Sequence, residues 1–147
     1  MSQENVEIAH RLLAEAGKRS RRQGLVVDAL DERSLSVIYA SLDPAIEFHE
    51  DPRFPEAGIY RGVEACRQYL EQFVQSFDEF VFEAEDMIGL DDGRVLSLLR
   101  IKSRGKGSGA SVELHAGWLF TFRVGHVVKI EAFLDREEAL EAAGLSE

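Results

Sequence analysis

The sequence has one cysteine, one tryptophan and three prolines among 147 residues, and acidic residues outnumber basic ones by 27 to 17. With Cys66 as the only cysteine, an intramolecular disulfide and a zinc site built on cysteines are both excluded. The formal net charge of −10 disfavours nucleic-acid phosphates and anionic membranes as partners. The apolar run "AGWLFTF" (116–122) is far shorter than the roughly 20 residues that a membrane helix needs.

Size and composition indicate an ordinary globular domain. A chain of 147 residues with 45% hydrophobic and 30% charged residues predicts a single domain, 1–147, with a sizeable core. The opening "MSQENVEIAH" is polar where a signal peptide would be apolar, so we expect a soluble cytoplasmic protein. The four histidines are scattered without paired ligand spacing, and we expect neither a metal nor a cofactor.

The first third of the chain has helical periodicity. Apolar residues at helical spacing predict a helix over 4–16, and helical character returns over 25–32 and 34–42. Gly17 and the basic run after it interrupt the first helix. Pro44 ends the third, because the residue before a proline is steered away from helical backbone angles.

After Pro44 the apolar residues alternate. Ile46, Phe48 and Glu50 fall on one face of a short strand, and the other face carries Glu47, His49 and Asp51. The following segment, 52–62, is rich in proline and glycine and predicts a loop. The segment 63–77 repeats its apolar residues at helical spacing and predicts an amphipathic helix.

The second half of the chain predicts four strands over 80–89, 94–104, 111–123 and 127–134. On the third strand, one face holds Leu114, Ala116, Trp118, Phe120 and Phe122, and on the fourth, one face holds Val128, Ile130, Ala132 and Leu134. Asp135 can cap a short final helix with Glu138 as its reciprocal partner, and Gly144 can end it.

This order of elements predicts an α+β fold, a cone-shaped roll in which a curved, mainly antiparallel sheet wraps around the N-terminal helices. Aromatic side chains on the inner face would line a conical cavity. The outer face carries Leu96, Leu98, Leu119 and Phe133 among its charged residues, more apolar area than a solvated face needs. We therefore expect a homodimer through the outer sheet face.

Four segments resemble the SnoaL-like proteins of the nuclear transport factor two superfamily: "MSQENVEIAHRLL", "LDPAIEFHEDP", "GIYRGVEACRQYLEQF" and "VVKIEAFLDREEALEAAGL". The resemblance covers nearly the whole chain, except for an unusual helix or loop insertion at about 14–30. It implies the cone fold, a homodimer through the outer face, and a small apolar ligand inside. The family includes polyketide cyclases, ketosteroid isomerases and non-catalytic binding modules, and fold alone does not choose among them.

Glu50 and His49 are the candidate catalytic residues. Alternation points Glu50 into the apolar interior, where loss of solvation would raise the pKa of its carboxyl and make it an acid or base near neutral pH. In the ketosteroid isomerases, a carboxylate near the end of this strand removes a proton next to a carbonyl. A shift of one residue in register would give this role to His49, and a solvated strand end is the alternative for both.

Six further residues are candidate ligand contacts. Phe48, Trp118, Phe120 and Ile130 are predicted to lie on the inner faces, with Trp118 placed to stack on a flat ligand. Phe54 and Tyr60 come from the loop after the first strand and are expected to close the mouth of the cavity. Arg100, His115 and Glu131 fall on the outer face. Two functions remain open: binding a small apolar molecule with proton transfer next to a carbonyl, and a non-catalytic ligand-binding or dimerisation module.

Overall fold

The computed structural model describes residues 2–20, 39–54, 56–75, 77–105, 107 and 109–145. The helix predicted over 25–32, most of that over 34–42, and much of the insertion expected at about 14–30 lie outside these residues. Within the described part, no helix is long and apolar enough to cross a membrane.

Three helices and six strands form the described part of the chain. The helices are α1 (Ser2–Ser20), α2 (Val63–Gln75) and α3 (Arg136–Ala142), and the strands are β1 (Leu42–His49), β2 (Ile59–Arg61), β3 (Phe77–Gly89), β4 (Val95–Gly105), β5 (Ser111–Arg123) and β6 (His126–Phe133). They build one curved, unclosed sheet in the order β2-β1-β6-β5-β4-β3, parallel only between β1 and β6. The predicted α+β cone with its four-stranded antiparallel meander is confirmed.

Both predicted boundaries in the first third of the chain were wrong. The first helix continues through Gly17 to Ser20, since one glycine costs a helix only about 1 kcal/mol. The strand after it begins at Leu42, so Pro44 lies within β1 rather than ahead of it. The pairing of β1 with β6 is irregular between Leu42 and Glu47. Pro44 has no N–H group to donate, and it is tolerated there because that stretch has no regular ladder of hydrogen bonds.

The structure adds a strand that the sequence pattern does not predict. Residues 52–62 were expected to form a loop, but Ile59–Arg61 pairs with β1 as the edge strand β2, with Phe48 opposite Tyr60. Gly62 ends the strand at a positive φ of 89°, which favours glycine, and its N–H donates to the Ile46 carbonyl at 2.8 Å. The loop therefore runs back along β1 and brings Tyr60 beside it.

The inner face of the sheet carries the larger core. Its buried residues come from α1, α2 and the inward positions of four strands, including Leu12, Cys66, Phe48, Leu99, Phe120 and Ile130. Phe120, Ile130 and Ala132 belong to this core as alternation predicts, and Ala116 is buried opposite Leu99. Val127 takes the buried place expected for Val128, because the register shifts between Thr121 and Phe122.

A second, smaller core lies on the outer face beneath α3. Leu96 and Leu119 are almost fully buried there with Ala139 and Ala143, and Leu98, Phe133 and Leu140 pack around them. The apolar residues that suggested a partner chain face outward as predicted, but the C-terminal helix of the same chain covers them. The homodimer stays a prediction, and the surface left for it is the part of the outer face beyond α3.

The two ends of α3 are fixed by a capping residue and by a glycine. Asp135 caps the helix as predicted by accepting the Glu137 N–H at 2.8 Å, and Gly144 ends it at a φ of 77°. Glu138 was expected to complete this cap but pairs with Arg53 instead.

Gly117 of β5 lies under the helix, and a Cβ atom there would be 2.5 Å from the Ala139 Cβ. The close approach requires glycine.

We predict that Gly117→Ala destabilises the protein, because α3 must move away from the sheet to admit the methyl group. Overpacking of this kind costs about 1–3 kcal/mol. Chemical denaturation measures the loss. Gly58→Ala is the matched control, because a Cβ at Gly58 meets no atom within 4 Å. Equal midpoints for the two variants would show that α3 does not depend on this contact.

Candidate functional site

Glu50 follows directly after β1, and α2 supplies the partner of its carboxylate. Its backbone N–H donates to the Gly58 carbonyl at 3.1 Å, which continues the pairing with the β2 side. The Tyr69 hydroxyl donates to Glu50 Oε2 at 2.8 Å, and the Asp51 N–H donates to Oε1 at 2.9 Å. The side chain is half-buried, and both of its oxygens are held in place.

Burial controls the ionisation of this carboxyl. Loss of solvation raises the pKa of Glu50 above its ordinary value, and the nearby Asp51 carboxylate adds to the rise. The hydrogen bonds from the Asp51 N–H and the Tyr69 hydroxyl oppose the rise without cancelling it. Burial, and then the bond to Glu50, also raise the pKa of Tyr69, so its hydroxyl keeps its proton at neutral pH. Glu50 is thus a stronger base than an exposed glutamate.

An aromatic group surrounds this pair, formed by Phe48, Tyr60, Tyr69, Trp118 and Phe120. The rings of Tyr60 and Tyr69 are stacked with centroids 4.1 Å apart, and Tyr69 lies 5.9 Å from Phe48. Phe48 meets Trp118 edge-on at 5.5 Å, and Trp118 is 6.2 Å from Phe120. The group therefore extends from α2 across β1 to β5.

The predicted ligand contacts divide between this group and its surroundings. Phe48, Phe120 and Ile130 are buried in the inner core, whereas Trp118 and Tyr60 are half-buried at its border. Phe54 lies in the turn after β1, where its N–H donates to the Asp51 carbonyl at 3.1 Å. The structure thus brings Phe48, Tyr60, Trp118 and Phe120 into one aromatic group with Tyr69, the partner of Glu50, and their role as ligand contacts stays a prediction.

His49 lies with the polar residues of β1. Its Nε2 is 2.9 Å from Glu47 Oε1, and 28% of its side chain is exposed. Glu47 is also bound by Arg61 Nε at 3.2 Å. Burial alternates along the strand, with Ile46 and Phe48 buried and Glu47 and His49 half-exposed. The geometry therefore assigns the inward position to Glu50, and a catalytic role for His49 has no geometric support here.

Tyr69 is the site residue that the sequence analysis missed. It falls on the apolar stripe of α2 and reads there as a core aromatic. A buried tyrosine needs a partner for its hydroxyl, and this requirement was the available signal. The identity of the partner depends on how α2 crosses β1, which sequence periodicity does not fix.

Asp51 forms a buried clasp that joins three segments. Its side chain is only 2% exposed and accepts Arg53 Nε at 2.9 Å, an Arg53 terminal nitrogen at 2.7 Å, and the Leu134 N–H at 2.7 Å. Arg53 also pairs with Glu138 of α3. Alternation had placed Asp51 on the outer face of a longer strand, and this was wrong because β1 ends at His49.

The clasp makes Asp51 a structural carboxylate. The Arg53 guanidinium, together with the Leu134 and Arg53 N–H groups, lowers the pKa of Asp51 to about 2 despite its burial. It therefore stays ionised at neutral pH and has no proton to exchange. Because the Asp51 N–H donates to Glu50, the clasp also fixes the peptide group that orients the neighbouring carboxylate.

The described residues contain no group of three histidine, cysteine, aspartate or glutamate side chains placed to hold a metal ion. The chemistry that this site supports comes from Glu50, Tyr69 and the rings around them. A half-buried carboxylate with a raised pKa can take or give a proton, and the rings can hold an apolar molecule.

We predict that Asp51→Asn destabilises the protein by about 2 kcal/mol at neutral pH, because it removes the charge of a buried carboxylate that is paired with Arg53. A folded pKa of about 2, below the ordinary 3.8, gives a stabilisation that is full above the ordinary value and is lost as the pH falls towards 2. The difference in unfolding free energy from the unaltered protein should therefore shrink on acidification. Denaturation at about pH 7 and about pH 3 measures it.

The control for this experiment is Asp91→Asn, since Asp91 is exposed in the turn before β4. It should leave the unfolding free energy unchanged at both pH values. A difference between Asp51→Asn and the unaltered protein that stays constant with pH would contradict a charged clasp.

Several solved structures share this fold. The chain is 17% identical to Bal32a from a soil-derived mobile gene cassette, over 97% of both chains, with a TM-score of 0.75. It is 19% identical to a Jannaschia sp. CCS1 protein described as a SnoaL-like polyketide cyclase, over 99% of this chain and 94% of that one, with a TM-score of 0.71.

A third structure, that of TerC co-crystallised with polyporic acid, is 17% identical over 95% of this chain and 97% of TerC, with a TM-score of 0.68. No curated protein matches the chain significantly. Identities this low show a shared fold. The SnoaL-like domain family, however, matches residues 25–130, well over half of the sequence. This chain belongs to the SnoaL-like family.

Proposed function

We propose that this protein binds a small, largely apolar molecule against the inner face of the sheet, and that Glu50 removes a proton from a carbon next to a carbonyl. The observation that carries the proposal is the half-buried Glu50 carboxylate, hydrogen-bonded to Tyr69 inside the aromatic group. Such a carboxylate matches the base strength that proton abstraction from carbon needs near neutral pH.

The aromatic group supports an apolar, ring-shaped ligand. Both Tyr60, which stacks on Tyr69, and Trp118, which meets Phe48 edge-on, are half-buried rings of this group. A flat molecule stacked on Trp118 would exclude water from the carboxylate and strengthen its electrostatic interactions. The likeness to a protein described as a polyketide cyclase, and to TerC with polyporic acid, agrees with ring-shaped ligands.

The proposed step keeps every proton within the site. Glu50 accepts the proton from the carbon, and the electron pair of the broken C–H bond moves to the carbonyl as an enolate. Return of the proton to another carbon gives isomerisation. Attack of the enolate carbon on a second carbonyl gives cyclisation, and the new alkoxide then takes the proton from Glu50. Tyr69 holds the carboxylate in position, and the Asp51 N–H fixes its other oxygen.

One observation favours a non-catalytic alternative. Both Glu50 oxygens already accept a hydrogen bond from the chain itself, which would suffice to satisfy a purely structural carboxylate. In that case the protein would be a ligand-binding or dimerisation module, with Glu50 serving only to hold α2 against β1.

Hydrogen–deuterium exchange of β-tetralone distinguishes these functions. This flat two-ring ketone has acidic C–H bonds between its carbonyl and its aromatic ring, and NMR in heavy water follows their exchange. We predict that Glu50→Gln lowers protein-catalysed exchange by about a hundredfold or more, because the general base is lost. Affinity, measured by the emission of Trp118, the only tryptophan, should change by less than about threefold.

His49→Gln is the matched control, since it alters the neighbouring residue on the polar side of β1. It should leave both exchange and affinity unchanged. If the unaltered protein binds the ketone and Glu50→Gln exchanges its protons equally fast, the protein is a binding module. If His49→Gln loses exchange and Glu50→Gln keeps it, the general base is His49.

The pH dependence of exchange tests the role of Tyr69. Its hydroxyl stabilises the charged form of Glu50, so Tyr69→Phe should raise the pKa of Glu50 further. The acidic limb of the exchange rate against pH should therefore move to higher pH. An unmoved limb with a lower plateau would mean that Tyr69 contributes only packing.

A further inference from the structure

Ser97, near the start of β4, is a buried polar residue that the proposed function does not use. It has the same inward parity as Val95 and Leu99 and is 0% exposed. Within the described part of the chain, its hydroxyl oxygen is buried and has no hydrogen-bond partner. A buried hydroxyl left unsatisfied costs about 1–3 kcal/mol, so its retention on an otherwise apolar face calls for a partner.

The register of the sheet places Ser97 in line with the candidate base. Met87 pairs with Ser97, Ser97 with Trp118, and Trp118 with Ala132. His49 pairs with Glu131, so the next residue, Glu50, is level with Ala132. These five residues form a transverse row across the inner face: Glu50, Ala132, Trp118, Ser97 and Met87.

The row has one polar group directly after β1 and one in β4, with apolar residues between them. Ala132, the smallest side chain of the middle, reaches least far into the interior, and the half-buried Trp118 lies beside it. Three strand spacings separate β1 from β4, roughly 14 Å along the sheet, and curvature shortens the direct path. This span exceeds a single six-membered ring and suits a molecule of two or more rings.

We propose that the Ser97 hydroxyl donates a hydrogen bond to the ligand at the end opposite Glu50. The ligand class is then a flat system of at least two rings, with an acidic C–H next to a carbonyl at one end and an acceptor oxygen at the other. This inference rests on the proposed function and adds a determinant of specificity to it. Met87 flanks Ser97, and its flexible, unbranched side chain can move aside to admit the oxygen.

A matched pair of ketones isolates the contact. β-Tetralone lacks the distal oxygen, and its 6-methoxy derivative carries an acceptor oxygen on the far ring. In Ser97→Ala, the dissociation constant of the methoxy ketone, read from Trp118 emission, should rise about three- to tenfold, the worth of one neutral hydrogen bond. That of β-tetralone should change less than twofold, on the order of measurement scatter.

The melting temperature separates this role from a structural one. Ser97→Ala removes a buried hydroxyl that has no partner in the described residues, so the free protein should melt at the same temperature or higher. Ser103→Ala is the control variant. Ser103 has the same parity on the same strand but lies six residues away, roughly 20 Å, and should alter neither affinity.

Three results would overturn the proposal: failure of the methoxy ketone to bind the unaltered protein, equal weakening of both ketones, or a lower melting temperature in Ser97→Ala. Repeating the titrations in Glu50→Gln separates this proposal from the catalytic one. If Ser97→Ala still weakens binding of the methoxy ketone in the Glu50→Gln background, and exchange does not depend on Glu50, then Ser97 binds the ligand and Glu50 is not the general base.

Discussion

The buried carboxylate of Asp51 holds together the region on which the site depends. It joins the segment after β1 to Leu134, the residue after β6, through its bonds to Arg53 and to backbone N–H groups, and β1 and β6 are the one parallel pair of the sheet. α3 begins directly after this point, and Arg53 reaches Glu138 within it. Because the Asp51 N–H also holds Glu50, one charged contact fixes the strand pair, the start of the outer helix and the direction of the candidate base.

The two faces of the sheet have different tasks. On the outer face, α3 approaches so closely that Gly117 is required, and the side chains there form a closed apolar layer. On the inner face, α1 packs towards β3 and β4 and α2 towards β1 and β2. The row from Glu50 to Met87 runs from the strands under α2 to the strands under α1, with Trp118 at its centre. Tight packing outside thus supports a sheet whose otherwise apolar inner face carries Glu50 and Ser97.

Sequence periodicity predicted the fold well, because alternation and helical spacing depend only on which side chains must avoid water. It placed Glu50, Phe48, Trp118 and Phe120 on the correct face for the same reason. It missed β2, whose three residues are too few to establish a period. It also missed the partners of Asp51 and Tyr69, since those contacts join segments distant in sequence and depend on chain crossings that no local pattern encodes.

Glu50 and Asp51 show how one short segment gives neighbouring carboxylates different roles. Asp51 is the more deeply buried, but a guanidinium and two other N–H groups compensate its charge, and its pKa falls. Glu50 receives one neutral hydroxyl and one N–H, too little to offset its lost hydration, and its pKa rises. The ionised Asp51 beside it raises that pKa further. Asp51 therefore makes Glu50 a better base. Removing the charge of Asp51 would lower the base strength of Glu50 as well as the stability of the fold.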